Sequence, residues 1–156
     1  MGDDRSTVLL LRLVVVLLAV QFILGIWVNL FGTFPSTRGL GAAVRYSGDP
    51  VLTGHYVLAV VLVALAVVLM VVAFRRESSL GLRGMVVAGA GSIVWAVASG
   101  LQFVLSGFSN NVASFSMAVA FIAATSFYGV AQALVLAPPS GSQRRSVAAD
   151  GPPGPP

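Results

Sequence analysis

Within the apolar stretches of this sequence only one side chain can both titrate near neutral pH and offer a nitrogen to a metal. It is His55, the single histidine among 156 residues. Its chemistry is limited by what else the chain supplies. A zinc or copper site needs several nitrogen or sulfur ligands, and here there is one imidazole and no cysteine. A serine hydrolase dyad needs a nucleophile motif beside the base, and neither Ser106 nor Ser116 lies in one. A proton-coupled exporter wants a carboxylate in the membrane, yet Asp3, Asp4, Asp49, Glu77 and Asp150 all fall outside the apolar runs. Haem differs, because its iron brings four ligands of its own and asks the protein for one or two axial ones, which a helical bundle can provide. His with Met is a recognised axial pair. Of the four methionines, Met1 is in the polar head and Met70 and Met85 belong near the other side of the membrane. Met117 alone lies about as deep as His55. A b-type haem held by His55, alone or with Met117, is therefore the cofactor this inventory accommodates; the competing role for a lone histidine at a helix start is capping, or a hydrogen bond to a loop.

The elements that must position these residues are membrane spans. Hydrophobic residues make up 57% of the chain and charged residues 9%, far from the quarter or so of charge in soluble domains. Leu52 to Phe74 carries no charge and is bracketed by Asp49-Pro50 and Arg75-Arg76-Glu77. About 23 residues at 1.5 Å rise cover roughly 34 Å, enough to cross a hydrocarbon core. Three similar runs give an all-α, integral membrane four-helix bundle with spans at about 8–31, 52–74, 84–107 and 112–137. A polar head, 1–7, precedes them, and the first run is too long for a signal peptide, so it reads as a retained span. The tail, 138–156, opens with Pro138-Pro139 and is rich in Gly, Pro, Ser and Arg, a composition expected to be disordered. All nine basic residues are arginine, and seven lie in or beside the head, the 75–83 turn and the tail, against two in the first connection. Both termini are thus expected in the cytoplasm, with His55 near the outer face of an inner or plasma membrane. The net charge of +4 reports on orientation and lipid headgroups, and the absence of a basic patch interleaved with aromatics argues against a nucleic-acid partner.

Two patterns run inside the spans. Gln21-Phe22-Ile23-Leu24 through Asn29 matches Gln102-Phe103-Val104-Leu105 through Asn110, which suggests two parallel-repeated transmembrane hairpins and lays His55 opposite Ser116 or Met117. Gly84, Ala88, Ser92, Ala96 and Gly100, each four after the last, form a small-residue stripe on the third helix that would let a backbone or a flat ligand approach closely. Gln21, Asn29 and Gln102 are costly in lipid and are expected to face the bundle interior as interhelical hydrogen-bond partners.

Gln21-Phe22-Ile23-Leu24-Gly25, a loop with Phe34-Pro35, and His55 at the start of the next helix together resemble one four-helix half of the heme A synthase family. The resemblance covers roughly 10–137. It implies a bundle with a haem pocket toward the outer side and His55 in the place of the second-helix histidine. The fourth-helix histidine is Ser116 or Met117 here; the second half, the loop cysteines and the acidic residue near the second-helix histidine are absent. The family oxidises a haem methyl with both halves, so the expectation for this chain is haem handling or electron transfer by a binding bundle rather than catalysis. A homodimer would restore two bundles. The alternative is a non-catalytic accessory or assembly subunit that docks on a respiratory or other membrane complex through the stripe on helix three.

Overall fold

A computed structural model of the protein describes residues 2–32, 34, 41, 49–75 and 79–137. The expectations for the tail and for most of the first connection lie outside these residues. Among the described residues the fold is all-α, with four long helices: α1 (Gly2–Phe31), α2 (Pro50–Arg75), α3 (Leu80–Leu105) and α4 (Asn111–Leu136). Each is long and apolar enough to cross a membrane, as a multi-pass membrane protein requires. Large side chains such as Ile23, Trp27, Val60, Trp95 and Phe115 stand exposed on the outside of the bundle, a surface suited to lipid and unfavourable in water.

Helix starts are written locally. The Asp49 carboxylate accepts from the backbone N–H groups of Val51 (2.8 Å) and Leu52 (3.3 Å), with Pro50 at the first helical position, where its missing N–H costs nothing. Ser79 caps α3 by accepting from the N–H of Leu82, and Asn110 caps α4 by accepting from that of Ala113. These caps set α2 two residues earlier and α3 four residues earlier than the apolar runs suggest, because capping rather than hydropathy decides where a helix begins. The head does not form a separate element; α1 starts at Gly2. Between α3 and α4 the chain reverses through Gly107 (φ 73°) and Phe108 (φ 60°), the latter a left-handed conformation uncommon for a large side chain.

The helices pack in a ring in which each touches its two neighbours: α1 with α2, α2 with α3, α3 with α4, and α4 with α1, while diagonal pairs stay apart. The continuous core lies in the half of the bundle toward the α2–α3 turn. Leu11, Val14 and Leu18 meet Leu62, Ala66 and Leu69 there, together with Val86, Ala90 and Ile93 of α3 and Ala124, Tyr128 and Ala131 of α4. The α3–α4 contact is the most extensive. Gly89 makes it so: a Cβ at that position would stand 2.8 Å from the Tyr128 ring, so the ring occupies the space a side chain would need. Toward the other end, no loop joins α2 to α3 or α4 to α1.

Candidate functional site

Where the hairpins part they enclose a cavity of about 490 Å³, within the size range of small-molecule and cofactor sites. Its walls are largely small or apolar, including Gly25, Ala59, Ala96, Gly100, Ala118 and Ala124. Polar groups enter it from α1 and α2: Gln21, Asn29, His55 and Tyr56, with Ser114 from α4.

His55 lies in the second turn of α2, and its ring rests against Gly25 of α1. A Cβ on Gly25 would be 3.2 Å from His55 Cε1, tighter than most packed carbons, so any larger residue there would push the imidazole by a few tenths of an ångström. The Gln21 amide holds it from the same helix: Nε2 donates to the His55 carbonyl at 3.1 Å and lies 3.4 Å from the ring Nε2. If that second contact is a hydrogen bond, the ring proton sits on Nδ1. Nδ1, Gln21 Oε1 and the Tyr56 hydroxyl are all buried with no hydrogen-bond partner. An unpaired buried polar group costs about 1–3 kcal/mol, and three of them lie together at this end of the bundle, closed off from the cavity that their residues line.

Met117 reaches the same cavity from α4, diagonally across the bundle from α2. Its sulfur packs over Gly100, where a Cβ would come within 3.2 Å of Sδ. Of the two residues the repeat lays opposite His55, Met117 faces the cavity. Ser116 does not line it: it turns to α3, accepting from Trp95 Nε1 at 2.8 Å and from Ser99 Oγ at 3.2 Å.

The remaining expected positions are distributed unevenly. Gln21 is buried and lines the cavity; Asn29 lines it but is exposed at its rim. Gln102 does not face the interior. It is exposed, one turn from the end of α3, where it is close to the end of the span and needs no interhelical partner. On the α3 stripe, Ala96 and Gly100 line the cavity, Ala88 and Ser92 are half-buried with the Ser92 hydroxyl donating to the Ala88 carbonyl at 2.9 Å, and Gly84 is exposed with nothing within 4 Å of where a Cβ would be. Sequence reasoning passed over Tyr56, the Trp95–Ser99–Ser116 clamp and the Gly89–Tyr128 contact. For Gly89 the only signal was its type.

Three aromatic rings cover the loop end of the cavity. Phe34 stacks on Phe108 with centroids 4.7 Å apart and meets the edge of Phe103 at 5.7 Å, while Phe103 and Phe108 cross at 5.7 Å. The left-handed backbone at Phe108 is what turns its ring onto Phe34. Among the described residues, no three of His, Cys, Asp and Glu gather as a site for a bare metal ion. No protein-family model, no curated protein and no solved structure matches this chain.

Proposed function

We propose that this protein is a membrane-embedded haem-binding bundle, with b-type haem between its two hairpins, His55 as axial ligand and Met117 as the second. One observation carries the reading: the only histidine and the thioether expected at its depth line a single cavity from diagonal helices. The residues fit the group. Nδ1 is buried against Gly25 and Nε2 lies 3.4 Å from the Gln21 amide, so Nε2 would become an axial ligand on release of the Gln21 contact. Short side chains at Ala59, Ala96 and Ala118 line the space between the helices, and Gly25 and Gly100 seat the His55 ring and the Met117 sulfur at its edge. When bound, haem supplies a one-electron redox centre. The contribution of the chain is to hold the imidazole between Gly25 and Gln21 and to surround the centre with apolar walls. The function that follows is haem handling or electron transfer in an inner or plasma membrane, with both termini in the cytoplasm, the cavity toward the outer leaflet and the two hairpins as parallel repeats.

Absorbance of the detergent-purified protein after haem addition tests this. A Soret band is expected in the wild type, lost in His55→Ala and shifted in Met117→Leu. No band in the wild type, or an unchanged band in His55→Ala, overturns the reading. A second reading, an accessory subunit of a larger membrane complex, draws on Gly84, whose side of α3 is open to close approach by another helix.

A further inference from the structure

The loop end of the cavity and the two seams between the hairpins are not equivalent as routes for a ligand. The loop end is closed by the Phe34, Phe103 and Phe108 rings, all three of which line the cavity. The seam between α1 and α4 is bridged by Phe22 and Phe121, stacked with centroids 5.3 Å apart and planes 20° from parallel. The seam between α2 and α3 has no such bridge. There Val60, Val97 and Leu101 line the cavity and are at the same time 70%, 42% and 43% exposed, so cavity wall and outer surface are continuous across aliphatic side chains. Val60 is ten residues into α2 and Val97 eight residues before the end of α3, or roughly 12–15 Å from the helix ends, within the hydrocarbon layer and below the headgroups. Neither this seam nor that between α1 and α4 has a covalent link beside the cavity, so the Phe22–Phe121 stack is what distinguishes the two.

We propose that the cavity is loaded from the bilayer, through the α2–α3 seam at Val60, Val97 and Leu101, and that its ligand is accordingly a lipid-dissolved molecule with a flat or extended apolar body. With haem as that ligand the proposal rests on the reading above and names the source: haem partitioned into the membrane, not haem delivered from water.

The full chain in liposomes is mixed with donor vesicles carrying haem, and growth of the Soret band is followed by stopped flow for the wild type, for Val60→Trp/Val97→Trp, which plugs the seam, and for Phe108→Ala, which opens the aromatic cap. The seam variant is expected to load at least about tenfold more slowly, with Phe108→Ala no faster than the wild type. Wild-type loading by the seam variant, or faster loading by Phe108→Ala, overturns the proposal. A second measurement needs no haem. Because the chain has no cysteine, Met117→Cys can carry a single bimane fluorophore. Lipid nitroxides should quench it more than aqueous iodide does, and Val60→Phe/Val97→Phe, which narrows the seam without an indole beside the bimane, should relieve that quenching; iodide quenching equal to or above lipid quenching overturns the seam route. Absence of a Soret band with lipid quenching intact would remove haem and leave the route standing.

Discussion

Gly89→Ala adds one methyl group where the Tyr128 ring of α4 packs on the backbone of α3. The new Cβ would stand 2.8, 2.9 and 3.0 Å from Cζ, Cε2 and Cε1 of Tyr128, several tenths of an ångström inside ordinary carbon contact. The ring has no room to retreat: Tyr128 is fully buried, in the same cluster as Leu11, Leu18, Leu69 and Val86, and a ring turns rather than bends. The two helices must therefore separate, loosening the most extensive interface in the bundle. Overpacking of this kind costs about 1–3 kcal/mol. Gly84→Ala is the control, because nothing lies within 4 Å of its added Cβ, and it should stay within about 0.5 kcal/mol of wild type. Reversible unfolding in mixed micelles, followed by circular dichroism, measures both. Shortening the opposing side chain should couple to the substitution, so that Gly89→Ala in a Tyr128→Leu background costs less than in the wild type, by about 0.5–3 kcal/mol. A Gly89→Ala protein within 0.5 kcal/mol or so of wild type, or a Gly84→Ala protein equally destabilised, would refute the assignment of the close-packed face.

Two further outcomes follow from the polar atoms. The Tyr128 hydroxyl is buried with no partner, so Tyr128→Phe should leave stability unchanged or raise it by up to about 1–3 kcal/mol in the same unfolding assay; a loss would mean that the hydroxyl is bonded after all. Ser116→Ala removes the common acceptor of Trp95 and Ser99 and should destabilise the α3–α4 pair by about 0.6–2 kcal/mol, with a matching shift in Trp95 fluorescence; no change in either quantity would remove the clamp from the account.

Four spans were legible in the chain because span formation is local: length, apolarity and the absence of charge act residue by residue, whatever the helix later packs against. The helix starts at Pro50, Leu80 and Asn111 were not legible from apolarity, which placed them at 52, 84 and 112; Asp49, Ser79 and Asn110 set them by capping within three residues of themselves. His55 was legible by scarcity, as the lone imidazole in an apolar chain.

Rotation of each helix about its axis was not legible. Gln21 and Gln102 sit in nearly the same four-residue motif, yet Gln21 is 7% exposed and bound to His55 while Gln102 faces outward. Gly84 and Gly89 lie on one helix, and only Gly89 receives a ring. In a soluble bundle an apolar stripe would mark the inner face, but a span is apolar all round because lipid and core are equally apolar, and that stripe disappears. The sequence by itself determined which segments form helices long and apolar enough to cross a membrane and that one imidazole lies among them. Only the tertiary structure decided that this imidazole meets Gln21, Gly25 and a cavity shared with Met117, because which neighbour a side chain faces depends on how four helices settle against one another.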